Sequence, residues 1–553
     1  MDGYGPFGMG GAMARSTVAL AALNTRVGEP PARFALELRP EQSPKRVSEE
    51  VKASLAEFDP SVTPISPVDH GVLILELPGR TLYGTEPARA YAAGYALADD
   101  FDLRTAEPDL PTPFFPEEEP APPGAPEEEA FRFPPGCWVD AEDGLVAGWA
   151  LEQLRVPQAW RFSEDEGRPA HGRGIVIAQP DTGVVRHAEL DGVARVGGWD
   201  VLGDDADPTD PLDGANPGHG TGTASVAVSP DSPRLTGSAP AASHMPIRAI
   251  TSVIQTSQVS VAAAIGRAVD DGAHVISMSL GGVPAAVLQR ALRRAVAADV
   301  IVLAAAGNCV RTVVWPARYD ECIAVAGTNA LERKWRGTCR GSAVDISAPG
   351  QNVFKASLSG DGGVSQGQGT SFAVALAAGV AALWLAHHGR ADLIAAARAR
   401  DETLQRMFLR LVRATARRPP GWDPFEMGAG IVDARALLGA HFNLGRDRES
   451  VQPPDPLTEP EFAVAGLVAE VVGLEAAPDQ DLDWHRYGPE LALVLLDAQL
   501  NAASAEEGEV RREATALEVS GELAAALGNP RLRGHLGLDQ GLAAPEVGEV
   551  RPS

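Results

Sequence analysis

Cysteine and positive charge are both scarce in this chain. Four cysteines in 553 residues, Cys137, Cys309, Cys322 and Cys339, are too few for a disulfide framework, and none stands in a CxxC pair. That excludes a small stapled scaffold and a cysteine-bound zinc ribbon. Free thiols are expected, although one internal bridge is compatible with the spacing, with Cys309 joined to Cys322 or Cys339. Lys and Arg number 47 against 74 Asp and Glu, which leaves a formal charge of -27. Such a field repels nucleic acid and anionic membrane, so no nucleic-acid partner is expected. Long apolar runs are also missing. The longest, Phe372 to Ala386, has 15 residues, which suits a buried core helix and predicts no membrane span. Near the N-terminus, Thr17 to Leu23 is apolar but short, and Asn24 and Arg26 follow it at once, so no signal peptide is read. A cytoplasmic protein is expected on that ground, with secretion as the alternative.

Hydrophobic residues at 44%, charged residues at 22% and a mean hydropathy of -0.07 describe a soluble chain with about three folding units. Residues 1 to 30 are glycine-rich without a clear period and read as a flexible lead. Residues 31 to 106 read as a small α+β unit. Phe34, Leu36 and Leu38 alternate as a strand, Ser43-Pro44 opens a helix, Val72 to Leu77 is a second strand, a helix runs from about Thr85 to Ala98, and Phe101 to Arg104 returns as a strand. Glu107 to Ala130 holds eight prolines and eight acidic residues with no Lys or Arg, so 107 to 137 reads as an extended linker.

From about 138 to 440, short apolar runs alternate with helical stretches, as at Ile175 to Ala178, Val275 to Met278 and Val300 to Ala304. The pattern predicts a three-layer α/β domain with a mainly parallel sheet. Residues 441 to 553 read as a helical C-terminal region, with periods at Glu461 to Leu474, Pro489 to Leu500 and Gly508 to Leu527.

Three segments of the α/β domain bring an acid, a base and a nucleophile. Gly174 to Gly183 is a buried strand delivering Asp181 at its carboxyl end. Gly218-His219-Gly220-Thr221 opens a small-residue helix. Gly369-Thr370-Ser371 opens the apolar helix. A serine hydroxyl is a weak nucleophile until an imidazole takes its proton, and the imidazole needs an acceptor that fixes its tautomer. Ser371, His219 and Asp181 supply those parts, and Asn308, after Ala304-Ala305-Ala306-Gly307, is the candidate oxyanion donor.

In this order, Asp-Thr-Gly, His-Gly-Thr, Ala-Ala-Gly-Asn and Gly-Thr-Ser resemble the subtilisin-like serine peptidases. Trp149 to Trp160, Ser277-Met278-Ser279-Leu280-Gly281-Gly282, Trp315-Pro316-Ala317, Ser347-Ala348-Pro349-Gly350 and the closing Gly428 to Ala434 extend the likeness. Two positions depart from it: Ala375 stands where proline is expected after the serine, and Gly222 where a second histidine is frequent. The resemblance implies a serine endopeptidase acting on peptide or protein substrates, with Asp181 orienting His219, His219 as general acid and base, Ser371 as nucleophile and Asn308 stabilising the oxyanion. Substrate would pair as a strand along Ser279, Leu280 and Gly281, with Ala305, Ala306 and Gly307 lining an open specificity pocket. No cofactor is required for the chemistry. The resemblance also implies that 31 to 106 is an inhibitory propeptide-like unit, with self-cleavage in or just after the linker. An inactive, peptide-binding pseudo-peptidase is the rival reading.

Asp204, Asp205, Asp207 and Asp210 place oxygen atoms at close spacing before His219, which makes calcium a candidate ligand and a solvated loop the alternative. His171, His187, His244, His274, His387 and His388 show no metal-ligand spacing and read as structural.

Overall fold

The computed structural model describes residues 14–26, 28–66, 69–111, 137, 139–232, 234–255, 258–358, 363–445, 464–473, 482–506 and 517–538. The N-terminal unit consists of helix α1 (Arg15–Ala21), β1 (Ala32–Glu37), α2 (Pro44–Ser54), β2 (Ser61–Pro64), β3 (Val72–Leu77), α3 (Pro87–Asp100) and β4 (Thr105–Pro108). Its antiparallel sheet has the order β2-β3-β1-β4. Two expectations change here. Residues 15 to 21 form a helix, with Leu20 buried and the Ser16 amide bonded to Asp100 Oδ2 at 2.7 Å. The last strand begins at Thr105 rather than Phe101, so Glu107 and Pro108 belong to the sheet instead of the linker. Apart from 107 to 111 and Cys137, the expected linker lies outside the described residues.

The central unit contains α4 (Trp149–Gln153), α5 (Val156–Asp165), β5 (Val176–Asp181), β6 (Trp199–Asp200), α6 (His219–Val228), β7 (Ser243–Arg248), β8 (Ile254–Gln255), α7 (Val259–Asp270), β9 (Val275–Met278), β10 (Gly281–Gly282) and α8 (Ala286–Ala297). It continues with β11 (Ile301–Ala305), β12 (Ile323–Thr328), β13 (Ile346–Pro349), β14 (Val353–Ala356), β15 (Val364–Gly367), α9 (Thr370–His388), α10 (Arg390–Arg398), α11 (Leu404–Thr415), α12 (Pro424–Met427) and α13 (Ala434–Leu438). Seven strands form one parallel sheet ordered β13-β12-β11-β9-β5-β7-β6.

Side chains alternate through this sheet. Ile177, Val275, Ile301, Leu303 and Val325 face the core built on α6 and α9, while Ala178, Ile276, Val302, Ala304 and Ala324 face the core shared with α7 and α8. Both faces are covered by helices, which is why these strands read as continuous apolar runs. Successive strands run outward in both directions from β5, to β7 on one side and to β9 on the other, and a crevice forms at such a reversal beyond the carboxyl ends of the strands. Helix α9 has the length and composition of a membrane span, but its whole apolar window is buried inside the protein.

The C-terminal helices α14 (Val464–Val472), α15 (Trp484–Glu506), α16 (Gly521–Ala526) and α17 (Pro530–His535) bridge the other two units. Glu470 on α14 receives Thr312 Oγ1 at 2.7 Å and pairs with Arg318 at 3.0 Å. On α15, His485 Nε2 lies 2.8 Å from Glu37 Oε2, and Glu490 Oε2 accepts from Tyr95 Oη at 2.7 Å. Residues 508 to 516, within the third expected helical stretch, lie outside the described residues.

The N-terminal unit docks on α8 through a buried carboxylate. Both oxygens of Glu107 accept from the Ala286 amide, at 3.0 and 2.9 Å, where the α8 macrodipole favours negative charge. Burial works against ionisation and pushes the carboxyl up to about 8. A carboxyl that ionises later in the fold than in the unfolded chain stabilises the fold fully below its usual value of 4.5, and that contribution is lost as pH rises through about 8. Thermal midpoints measured from pH 4.5 to 8.5 should therefore fall more steeply in wild type than in Glu107→Gln. Parallel curves would rule out this carboxyl as the source of the slope.

Candidate active site

Asp181, Ser279 and Asn308 follow or end three neighbouring strands of the parallel sheet, β5, β9 and β11, so the topology alone sets them along one edge. Asp181 is 1% exposed. Its Oδ1 accepts from His219 Nδ1 at 2.7 Å and from the Thr182 amide at 2.8 Å. Its Oδ2 accepts from Thr223 Oγ1 at 3.1 Å and Gln179 Nε2 at 3.3 Å. Four donors on one buried carboxylate satisfy the charge that burial would otherwise penalise.

His219 is the first residue of α6, and the close approach of Gly220 to the β5 end holds it there. A Cβ on Gly220 would lie 2.1 Å from the Gly183 carbonyl oxygen, so only glycine lets the helix start this near to Asp181. With Nδ1 committed to Asp181, the ring offers Nε2 to an incoming proton.

Ser371 is the second residue of α9. Gly369 precedes the helix at φ +148°, a turn that side-chain-bearing residues rarely adopt. Two bridges show how α9 lies on α6. The Ser238 amide bonds the Val226 carbonyl at 3.0 Å, and its hydroxyl sits 1.9 Å from where a Cβ on Gly379 would be. The Lys355 stem lies 3.1 Å from a Cβ built on Gly222 and 2.9 Å from one built on Gly367, against which Phe372 also packs. The two helices thus pack on each other, and His219 and Ser371 each stand in the first turn of their own helix. Among the described residues, neither His219 Nε2 nor Ser371 Oγ takes part in a hydrogen bond.

Asn308 Oδ1 accepts from the Thr370 amide and from Thr370 Oγ1, both at 2.9 Å. Its Nδ2 therefore turns the other way, to 3.6 Å from a Cβ built on Gly369. The Ser371 carbonyl receives Ser279 Oγ at 3.0 Å, which pins the start of α9 to the end of β9.

The expected substrate wall is partly in use. Leu280 is buried, the Gly281 amide bonds the Val253 carbonyl at 2.8 Å, and Gly282 bridges to Trp315. Ala305 and Ala306 are buried as well. Val314 packs against both expected walls, its Cγ2 lying 2.6 Å from a Cβ built on Gly281 and 2.8 Å from one on Gly307. Val314 is 33 positions from Gly281, and it reaches that wall because the 308 to 318 loop folds back.

Cys309 pairs with Cys137, at a Cα separation of 5.8 Å, which corrects the expectation of Cys322, Cys339 or free thiols for this residue. Cys322 and Cys339 stay free and buried, and burial pushes the Cys339 thiol up to about 12. The bridge ties the residue after Asn308 to the last residue of the expected linker. Nearby, Gln368 Oε1 and Gln366 Oε1 accept from the Val139 and Glu142 amides at 3.2 and 2.9 Å.

The acidic loop does not fit a metal. Asp205 and Asp207 cap turns, with Asp207 Oδ1 accepting from Thr209 Oγ1 at 2.6 Å, and Asp204 does not join them. Among the described residues, no group of three or more His, Cys, Asp or Glu is arranged to hold a metal ion. Asp210 turns inward instead, and its Oδ2 accepts from Thr182 Oγ1 at 2.7 Å and the Gly218 amide at 2.8 Å, bracing the segments that carry Asp181 and His219.

Residues 172–430 match the model of the subtilase family. The chain is 38% identical to thermitase of Thermoactinomyces vulgaris over 251 residues, covering 43% of this chain and 82% of thermitase. It is 32% identical to mycosin-4 of Mycobacterium tuberculosis over 375 residues, covering 58% of this chain and 76% of mycosin-4. Among solved structures, the crystal structure of MycP1 with the N-terminal propeptide removed is 26% identical at a TM-score of 0.43, covering 52% of this chain and 96% of that one.

Proposed function

Because this chain belongs to the subtilase family and is a subtilisin-like serine endopeptidase, we propose that it cleaves peptide bonds through an acyl-enzyme on Ser371. The observation that carries this reading is the 2.7 Å bond from His219 Nδ1 to buried Asp181, which leaves Nε2 as the base beside the first turn of α9. Ser371 Oγ gives its proton to Nε2 as it bonds to the substrate carbonyl carbon. The oxyanion that forms is met by the Ser371 amide and Asn308 Nδ2. The C–N bond then breaks, and the departing amine takes the proton from Nε2. Water repeats the sequence against the ester and frees the hydroxyl. The steps need His219 Nε2 free of its proton at the moment of attack.

Val314 between Gly281 and Gly307 supports a preference for small side chains in the specificity pocket. The N-terminal unit acts in this reading as an intramolecular inhibitor. Its chain leaves β4 at Asp109, whose Oδ1 receives the Val259 amide at 3.5 Å, close behind β8 and the substrate-binding segment. That exit supports self-cleavage in the stretch that follows. The Cys137–Cys309 bond supports an exported protein over a cytoplasmic one, since disulfides persist in oxidising compartments. A fluorophosphonate probe should label the full chain and spare Ser371→Ala, and on incubation without the probe only the wild type, not Ser371→Ala, should generate a new N-terminus. Peptide binding without labelling or cleavage would favour the pseudo-peptidase.

A further inference from the structure

The geometry points to Gln179 as a positioning residue that fixes the Asp181–His219 pair through the Thr223 hydroxyl and is itself oriented by His244. Strand β5 places Gln179 two residues before Asp181, on the same face of the strand, and 5% exposed. An amide in this place is unexpected, because the residues before it, Ile175 to Ala178, are all apolar.

Its hydrogen bonds have a direction. The carboxamide oxygen can only accept, and it lies 2.8 Å from His244 Nε2, so the buried ring carries its proton on that nitrogen. Burial holds the His244 imidazole down to about 3, which keeps it neutral. With Oε1 so fixed, the NH₂ group faces Thr223 Oγ1 at 2.6 Å, the Gly220 carbonyl at 3.0 Å and Asp181 Oδ2 at 3.3 Å. Thr223 has one hydroxyl hydrogen and three acceptors in reach: Asp181 Oδ2 at 3.1 Å, the His219 carbonyl at 3.0 Å and the Gly220 carbonyl at 3.3 Å. One Gln179 N–H donates into the Thr223 oxygen and the other is shared between the Gly220 carbonyl and Asp181 Oδ2, while the His219 carbonyl already accepts the Thr223 amide within α6, which directs the hydroxyl hydrogen to Asp181. The second carboxylate oxygen is thereby held, and the first stays aimed at His219 Nδ1.

This role rests on the serine-peptidase reading of the same triad, and its test separates the two. In the full chain, Gln179→Met removes both ends of the relay at similar length. Its kcat on a peptide substrate should fall about tenfold with KM unchanged, the rate equivalent of one ordinary hydrogen bond. Thr223→Val should fall alike, and the double variant should be no worse than Thr223→Val alone. The low-field proton resonance of the His219–Asp181 bond should shift in Gln179→Met. If that variant does not fold, His244→Phe should reproduce the loss and His244→Gln, whose NH₂ can still donate to Gln179, should restore it. Additive losses, an unchanged kcat or an unmoved resonance would overturn the assignment. A wild type without Ser371-dependent turnover would sink the peptidase reading, while the resonance would still decide the role of Gln179.

Discussion

Replacing Ser371 with alanine lowers kcat on peptide substrates by about 10⁶-fold, the scale known for loss of the nucleophile in a subtilisin. Substrate affinity and thermal midpoint stay near wild type. The Ser371 hydroxyl has no hydrogen bond to lose among the described residues, and alanine suits the first turn of α9 at least as well as serine. The backbone amide of residue 371 and Asn308 both remain, so a residual rate above the uncatalysed reaction persists from oxyanion stabilisation alone. Steady-state kinetics on a peptide substrate, with a thermal melt beside them, check both halves. A variant retaining a tenth of wild-type turnover would show that another group makes the acyl bond.

Asn308→Leu is expected to lower kcat by about 10²- to 10³-fold with little change in KM, the range found for removing one such donor in a subtilisin. Here Asn308 has a second duty, because its Oδ1 accepts both the amide and the hydroxyl of Thr370 at 2.9 Å. Thr370 is fully buried, so leucine leaves two donors unpaired and lowers the thermal midpoint as well. Asn308→Asp separates the duties. It keeps the acceptor for Thr370 and hence the melt, but it has no N–H to give the oxyanion and adds a like charge beside it. Its kcat should fall at least as far as in the leucine variant. A normal rate in Asn308→Asp would remove the side chain from transition-state stabilisation.

How much was legible varied with the range over which each feature is determined. Asp181, His219 and Ser371 stand in short segments whose local chemistry is distinctive, a carboxylate ending an apolar strand and a hydroxyl opening an apolar helix. The three-layer fold was equally readable, because strands covered on both faces lose their alternation. Helix α1 was missed because its seven residues show little period, and its stability comes from docking Leu20 and pairing the Ser16 amide with Asp100, 84 positions away. The acidic loop was misleading for a related reason. Four aspartates in one stretch suggest shared oxygens, yet among the described residues they make no group of three able to hold a metal, and Asp210 turns under Thr182 to support the catalytic segments.

His244 was read as structural, yet it stands two hydrogen bonds from Asp181 once β5 and β7 pair in register, Ile177 beside His244. Gln179 carried a visible signal, a lone amide after an apolar run in a buried strand, but its acceptors come from α6, some 40 residues on. The order of residues alone determined which groups exist for catalysis and which strands and helices present them, since hydrophobic period and local turn chemistry act over a few neighbours. Tertiary structure decided that Cys309 meets Cys137, that Val314 packs against Gly281, and that the C-terminal helices join the other two units. Those outcomes depend on contacts between segments far apart along the chain, which only the folded packing brings within bonding distance.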